Sequence, residues 1–342
     1  MNSDTVAGLD GSGRRSGNLR TAILRSVSRS FYLSIRFLPR QLREPIALAY
    51  LLARTTDTVA DTTRVPGTVR MEALKMFSDG ILGKASRKMV VNQVASFVPL
   101  QENAAERTLL DWLSDCLEWL EQIERADRDD IRAVLEKITH GQMLDLHRFN
   151  DPTKVRALET AADLDEYTYL VAGCVGEFWT RLCFRHLRDF ASLIQDEMLA
   201  LGRRYGMGLQ LINVLRDAGP DLRAGRCYFP KDELGAIGLS AAQISSDRFQ
   251  PVYQRWMEKA QDGLACGIQY SRAIRNRRVR AATVLPALIG ARTLALLRQA
   301  GASALHQTIK VPRREVRAMI LSLVVHLASR SRIDSIFERA KQ

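Results

Sequence analysis

The 342-residue sequence is poor in the residues that interrupt helices, with only 10 prolines and 21 glycines. Such scarcity favours long helices over a turn-rich β fold. The five cysteines are odd in number and show no Cys-x-x-Cys spacing, so they indicate neither a disulfide framework nor a zinc site. No stretch approaches the roughly 20 continuous apolar residues of a membrane-spanning helix. We therefore expect a cytoplasmic, all-α protein.

Hydrophobic residues make up 46% of the chain and charged residues 26%, which is enough apolar material for a sizeable core. Residues 1–18 are rich in Gly, Ser and Asp and lack an apolar signal core, so they are predicted to form a disordered leader. No later stretch has the composition of a linker. We predict a single domain over residues 19–342.

The formal net charge of +12 is suited to an anionic partner: a diphosphate, an acidic membrane surface or nucleic acid. Nucleic acid is the least expected, because no helix-turn-helix, zinc or aromatic-interleaved basic motif accompanies the charge. One basic cluster is a candidate for lipid headgroup contact, with a simply solvated basic face as the alternative. Its members are Arg272, Arg275, Arg277, Arg278 and Arg280.

Two pairs of aspartates, each with a spacing of four residues, are the most informative feature of the chain. Asp57 pairs with Asp61, and Asp217 pairs with Asp221. A spacing of four places both acids of a pair on one helical face, about one turn apart. Further polar residues extend each face on an otherwise apolar helix. The first stripe contains Tyr50, Arg54, Asp57 and Asp61, and the second contains Gln210, Asn213, Asp217 and Asp221.

If the two stripes share a cavity, their carboxylates repel one another, by about 3 kcal/mol for two charges ~6 Å apart at an effective dielectric near 20. Mg²⁺ held by carboxylates and substrate phosphates would relieve that repulsion. The pattern therefore predicts an enzyme for a diphosphate substrate. Other acidic pairs of the same spacing, Asp111 with Asp115 and Glu102 with Glu106, have no Arg or Asn in register and are interpreted as solvated.

Helical periodicity covers nearly the whole chain, and no segment has a strand pattern. Pro220 is expected to kink or end the second acidic helix, with Asp221 at or just past its last regular turn. Ala172, Gly173 and Gly176 are small enough for close helix packing, which is the favoured interpretation, or for leaving room for a ligand. Helices are predicted at 19–38, 42–62, 69–82, 106–125, 129–149, 163–186, 187–215, 247–274, 281–300 and 313–339.

These motifs together resemble the squalene/phytoene synthase family over roughly residues 20–335. The resemblance is carried by Ser28-Arg29-Ser30-Phe31, by the two acidic stripes, by Tyr167 followed by Val171-Ala172-Gly173 and Gly176, and by Gly225-Arg226. It implies the isoprenoid-synthase fold, a single-domain helical bundle around a central cavity. It also implies an Mg²⁺-dependent prenyltransferase acting on farnesyl diphosphate.

The resemblance further implies a role for each matching residue. Asp57, Asp61, Asp217 and Asp221 would hold Mg²⁺. Arg54, Arg216 and Arg226 would neutralise the leaving diphosphate, and Ser28, Arg29, Ser30 and Phe31 would seat the second one. Tyr167 would lie near the proton lost when the cyclopropyl carbinyl intermediate forms, with Tyr50 supporting the same polar cluster. Gln210 and Asn213 would orient diphosphate or metal, and Phe31, Phe178, Trp179 and Val175 could line a dry pocket.

Family members differ in their product. Squalene synthases make presqualene diphosphate and reduce it with NADPH; dehydrosqualene, phytoene and presqualene diphosphate synthases use no reductant. The stretch containing Lys310, Arg313 and Arg314 resembles the basic segment of squalene synthases that contacts the phosphates of NADPH. NADPH-dependent squalene synthesis is therefore favoured, and the products made without a reductant are the alternative.

No counterpart of the C-terminal anchor of eukaryotic members is found before Gln342. We therefore expect a cytoplasmic enzyme, with peripheral association at the inner face of the membrane as an option, and predict no oligomeric state.

Overall fold

The computed structural model describes residues 35, 38–151, 153–326 and 330–341. The predicted leader, residues 1–18, and the Ser28–Phe31 block lie outside the described residues, as does nearly all of the helix predicted at 19–38. The described chain is mostly helical with almost no sheet, which confirms the predicted fold class.

The helices follow one another with short connections. In chain order they are α1 (Arg40–Asp61), α2 (Gly67–Ile81), α3 (Arg87–Ala95), α4 (Ala104–Asp111), α5 (Leu113–Gln122), α6 (Arg125–Arg148), α7 (Ala161–Thr168), a π-helical turn (Tyr169–Gly173), α8 (Cys174–His186), α9 (Gln195–Arg223), α10 (Lys231–Ala236), α11 (Gln250–Ala273), α12 (Arg277–Ala300), α13 (Arg313–His326) and α14 (Arg330–Ala340). Short 3₁₀ turns lie at Val98–Leu100, Ala241–Gln243, Asp247–Phe249 and Gly301–Leu305.

Two short strands correct the expectation that the chain has none. β1 (Arg156–Leu158) and β2 (Arg226–Pro230) pair in parallel, with Arg156 opposite Arg226 and an irregularity after Ala157. Three to five residues are too few for the alternation that identifies a strand in a sequence. The small sheet matters because it places Arg226 directly after the end of α9.

Several predicted helix bounds also require correction. The helix predicted at 106–125 is divided at Trp112, and α9 begins at Gln195 rather than near residue 187. Pro220 does not end α9, which continues to Arg223, so Asp221 lies in its last turn as expected. The backbone around Gly219 packs so closely on Leu305 that a Cβ atom there would lie 1.9 Å from the Leu305 carbonyl oxygen. The helix is therefore packed tightly against Leu305 at the residue before Pro220, and it continues past the proline to Arg223.

The buried apolar residues form two clusters. The first is built mainly from α1–α6 and α8, and the second from the carboxyl-terminal half of α9 together with α11, α12 and α14. Arg277–Leu305 is long and apolar enough to cross a membrane by length and composition. Its qualifying 18-residue window has a mean hydropathy of 1.4, but 61% of that window is buried inside the fold. A core helix has the same character, so this segment is weak support for membrane insertion.

Candidate active site

A cavity of about 520 Å³ lies between α1, α6, α9, β2 and the segment from α7 into the π-helical turn. All four aspartates of the two predicted pairs line it, so the structure brings the two acidic stripes together. The polar lining residues are Arg54, Asp57, Asp61, Gln142, Asp145, Tyr167, Gln210, Asn213, Arg216, Asp217, Asp221, Arg226 and Tyr228. The apolar lining comprises Ala60, Ile138, Leu146, Val171 and Val214.

The first acidic pair is held by Gln142 from α6 and by Arg54 from its own helix, α1. Gln142 Nε2 donates to Asp57 Oδ1 at 2.7 Å, and Arg54 Nη1 lies 3.8 Å from Asp57 Oδ2. The Asp57 side chain keeps 46% of its surface accessible, but this surface faces the cavity, where protein surrounds the carboxylate. Loss of hydration and the nearby charge of Asp61 raise the pKa of Asp57 to about 6. Negative charge on this pair is therefore only partly compensated.

The second acidic pair is bound by two arginines. Arg216 contacts Asp217 in a bidentate manner, with Nε to Oδ1 at 2.8 Å and Nη2 to Oδ2 at 2.5 Å. Arg226 Nη2 donates to Asp221 Oδ1 at 2.7 Å. Burial raises the pKa of Asp221, and Arg226 opposes that shift. The arginines predicted from the sequence thus lie beside the carboxylates.

Tyr167 is held between two elements. Its ring stacks on Tyr228 with the centroids 4.8 Å apart and the planes inclined by 28°. Gln210 Nε2 donates to its hydroxyl at 3.4 Å, and Asn213 Nδ2 donates to Gln210 Oε1 at 3.2 Å. Burial raises the pKa of Tyr167, so the hydroxyl keeps its proton at neutral pH.

Four residues of this region were missed by the sequence analysis. Gln142 and Asp145 lie three residues apart on α6, but that helix carries charged residues along most of its length, so no polar stripe marks them in the sequence. Tyr228 lies on the unpredicted strand β2. Glu106, interpreted as solvated, accepts a 2.6 Å hydrogen bond from Arg54; that interpretation was wrong because only the fold brings α4 to α1.

Other predicted residues lie away from the cavity. Tyr50 packs against the first hydrophobic cluster rather than lining the cavity. Lys310, Arg313 and Arg314 are exposed on and just before α13, and they are not among the described lining residues. Neither are Val175, Phe178 and Trp179, which were candidates for the pocket wall with plain core packing as the alternative; Phe178 is part of the first core cluster, as that alternative predicts.

The cavity has the donor and acceptor groups that Mg²⁺ and a diphosphate require. Carboxylate oxygens are preferred Mg²⁺ ligands, and arginine is suited to phosphate oxygens. Three polar atoms of the lining are buried without a hydrogen-bond partner: Gln142 Oε1, Asp145 Oδ1 and Arg226 Nε. Buried polar groups of native proteins rarely stay unpaired, so these atoms indicate a polar ligand. Lys310, Arg313 and Arg314, which were expected to contact NADPH, are not among the described residues that line the cavity.

The fold and the cavity together define a class: an all-helical protein whose acidic and arginine-rich cavity lies between two packed halves. A family model described as squalene/phytoene synthase matches residues 24–315, so the chain belongs to that family. This confirms the resemblance inferred from the motifs.

Individual relatives share a modest sequence identity with this chain. The squalene synthase of Saccharomyces cerevisiae is 29% identical over 212 residues, which covers 61% of this chain and 44% of the yeast protein. The bifunctional lycopene cyclase/phytoene synthase of Leptosphaeria maculans is 29% identical over 233 residues, covering 67% of this chain and 36% of the relative. The matches thus span less than half the length of these relatives.

Solved structures share the fold. The complex of TcSQS with the ligand E5700 superposes with a TM-score of 0.73 at 20% identity, covering 95% of this chain and 97% of that chain. A dehydrosqualene synthase bound to a ligand gives a TM-score of 0.61 at 18% identity, covering 93% and 98%. At these identities the similarity establishes the isoprenoid-synthase helical fold.

Proposed function

We propose that this protein condenses two farnesyl diphosphates head to head to presqualene diphosphate and then reduces that product to squalene with NADPH. The observation that carries the proposal is the position of Asp57, Asp61, Asp217 and Asp221 around one cavity, interleaved with Arg54, Arg216 and Arg226. Family membership and the similarity to squalene synthases support the same reaction class.

The four aspartates would hold Mg²⁺, which when bound supplies positive charge to the departing diphosphate. The three cavity arginines act on the same charge. Fixed positive groups at a point where negative charge develops stabilise the transition state, and they need no reorganisation at that moment. Gln142 holds Asp57 from the side, since its amide donates to Oδ1 at 2.7 Å.

Tyr167 is proposed to take up the proton lost during cyclopropane formation. Its hydroxyl is protonated at neutral pH, so it must pass its own proton on as it accepts another. Tyr167 hydrogen-bonds Tyr228, and Tyr228 hydrogen-bonds the Asp145 carboxylate. The proton would move from the substrate carbon to Tyr167 Oη, from Tyr167 to Tyr228, and from Tyr228 to Asp145, whose pKa burial raises to about 6.

The alternative product class needs no reductant: dehydrosqualene, phytoene or presqualene diphosphate itself. One observation favours it, namely that Lys310, Arg313 and Arg314 do not line the cavity. The relatives also include a phytoene synthase and a dehydrosqualene synthase.

Product analysis tests both parts. The protein is incubated with farnesyl diphosphate and Mg²⁺, with and without NADPH, and the C30 lipids are extracted. Squalene formed only with NADPH supports the full proposal. Dehydrosqualene without reductant, or presqualene diphosphate under both conditions, supports the alternative. No condensation product with farnesyl diphosphate would contradict the proposal.

A matched pair of variants ties the result to the cavity. Asp217→Asn removes a carboxylate that lines the cavity, whereas Asp111→Asn removes an exposed one at the end of α4. Only the first is expected to abolish condensation.

A further inference from the structure

Helix α13 carries an unusual concentration of exposed aliphatic side chains. Ile320, Leu321, Val324 and Val325 are 42%, 65%, 63% and 62% exposed. Among the described residues, the other large apolar side chains that are exposed lie singly along the chain; they are Val69, Met89, Val175 and Ile194. Single exposed apolar residues are ordinary, but a contiguous group of them indicates an interaction surface.

The same side of α13 is basic in its first turns. With 100° per residue, Arg313, Arg314 and Arg317 fall within the same arc as the aliphatic residues. All three arginines are exposed and form no ion pair among the described residues. We call these seven residues the basic–apolar face of α13: Arg313, Arg314, Arg317, Ile320, Leu321, Val324 and Val325.

The opposite side of α13 is already engaged. Leu323 is 4% exposed and belongs to the second hydrophobic cluster, against which Met319 also packs. Glu315, the only acid between residues 306 and 326, is paired with Arg292 at 2.6 Å. The basic–apolar face therefore has no carboxylate, and the helix is fixed to the core with that face outward.

We propose that the basic–apolar face of α13 docks on the surface of an anionic lipid bilayer. A helix that presents aliphatic residues beside arginines fits the interface, where acyl chains take up the aliphatic residues and lipid phosphates contact the cations. From Arg313 to Val325 the helix is about 18 Å long. The basic turns would lie at the headgroups and the apolar turns deeper, so α13 would meet the membrane at a tilt.

A second copy of the chain is a poorer occupant. Two copies meeting through this face would place arginines against arginines or against the partner's aliphatic turns, and no carboxylate on the face would neutralise them. A stable interface also requires burial of about 1,200–2,000 Å² in total. Four aliphatic side chains on two helical turns are a small part of such an area, but they are enough for a helix to insert at a membrane surface.

This site differs from the basic cluster proposed from the sequence. Arg280 of that cluster is 4% exposed and donates to the carbonyl of Ile274, and Arg272 pairs with Asp334 at 3.4 Å. Arg280 cannot reach lipid headgroups, which corrects the expectation for that residue, whereas Arg275, Arg277 and Arg278 are exposed. The apolar part of the α13 face also lies beyond residue 315, where the family match ends.

Vesicle sedimentation tests the proposal with the full chain. Binding is expected to vesicles of equal parts phosphatidylglycerol and phosphatidylcholine, to weaken as salt rises, and to be absent with phosphatidylcholine alone. The double variant Leu321→Glu/Val324→Glu should lose binding by about 100-fold or more, since it replaces inserted aliphatic groups with charge. Arg317→Gln should weaken binding by about fivefold, which is the usual contribution of one cationic side chain to binding at an anionic membrane surface.

The control is Ile194→Glu, because Ile194 is 67% exposed but lies before α9, away from the proposed face. Circular dichroism shows whether each variant is folded, and Leu321→Met/Val324→Ile should keep full binding. Vesicle binding that survives in the double glutamate variant, or binding equal on both lipid compositions, overturns the proposal. A dimer by light scattering that the double variant dissociates, without vesicle binding, overturns it too and assigns the face to a second copy.

This inference does not rest on the proposed reaction, since the α13 face is separate from the described cavity lining. Cavity variants are expected to leave vesicle binding intact, and the double glutamate variant is expected to keep its condensation activity in detergent solution. The failure of one proposal therefore leaves the other standing.

Discussion

The hydroxyl of Tyr167 connects side chains from different elements of the fold. Gln210 on α9 donates to it, while Tyr228 on β2 stacks on the ring and hydrogen-bonds the hydroxyl. A phenylalanine at this position would keep the stacked ring and lose only the hydroxyl. This allows the chemical role of the group to be separated from its contribution to packing.

We predict that Tyr167→Phe lowers kcat by about 10²–10⁴-fold, the usual contribution of a positioned acid or base, while the unfolding midpoint changes little. Single-turnover formation of the C30 product measures the effect. Tyr169→Phe is the matched control: its hydroxyl contacts Lys137 at 2.7 Å and it does not line the cavity. Near-normal turnover in Tyr167→Phe, or an equal loss in both variants, would remove Tyr167 from the proposed proton path.

The protonation of Asp145 should be visible in the stability of the protein. Burial raises its pKa to about 6, above its ordinary value of 3.8. A raised folded-state pKa means that this group's stabilising contribution is fully present below pH 3.8 and is lost as the pH rises through about 6. Asp145→Asn removes the titration.

We therefore predict that Asp145→Asn becomes more stable relative to the unsubstituted protein as the pH rises from about 4 to about 6, with little further change above that, measured by urea unfolding. In the same variant condensation should slow, since the last acceptor of the proposed proton path is gone. A stability difference that is constant across this range would show that Asp145 does not titrate there. Unchanged turnover would exclude it from the proton path.

At the scale of elements, the fold depends on close contact between α8 with its preceding π-helical turn and α9. A Cβ atom on Gly176 would lie 2.0 Å from the carbonyl oxygen of Gly202, and one on Gly206 would lie 2.3 Å from that of Ala172. Backbone contacts this short leave no room for a side chain. The expectation of close packing at Gly173 and Gly176 is confirmed, and the contact fixes Tyr167 near Gln210.

We predict that Gly176→Ala destabilises the protein by about 2–3 kcal/mol, because overpacking against backbone forces the two helices apart. Gly235→Ala is the matched control. Gly235 is also helical, but nothing lies within 4 Å of its added Cβ, so the change should stabilise by up to about 1 kcal/mol. Equal effects of the two changes, measured by denaturant unfolding, would contradict the importance of this contact.

The elements of the site were predictable to different degrees. Asp57, Asp61, Asp217 and Asp221 repeat at the helical period, so sequence alone placed each pair on one face. The strand β2 was missed because a short parallel strand gains its stability from a partner distant in sequence. Glu106 was misjudged for the same reason, since its contact with Arg54 joins α4 to α1 and leaves no local pattern.

At the scale of the whole molecule, the cavity lies at the junction of the two hydrophobic clusters. The first acidic pair is carried by α1, whose buried residues belong to the first cluster. The second pair is carried by the end of α9, whose buried residues there belong to the second cluster. A ligand held by both pairs would therefore join the two halves of the core, so its binding should stabilise the whole protein.

We predict that Mg²⁺ with pyrophosphate raises the unfolding temperature by roughly 4 °C or more when present at about a hundred times the dissociation constant. The pKa of Asp57 is raised to about 6, so its carboxylate is largely protonated below that value and ionised above it. Since Mg²⁺ binds the ionised form, the increase in unfolding temperature should be small at about pH 5 and large at about pH 8.

The variants Asp57→Asn and Asp217→Asn should each abolish most of this increase. The variant Asp111→Asn, which alters an exposed carboxylate on α4, should leave the increase intact. If either pair could be removed without loss of the stabilisation, or if pyrophosphate alone produced it, the two acidic stripes would not be acting as one metal-dependent diphosphate site.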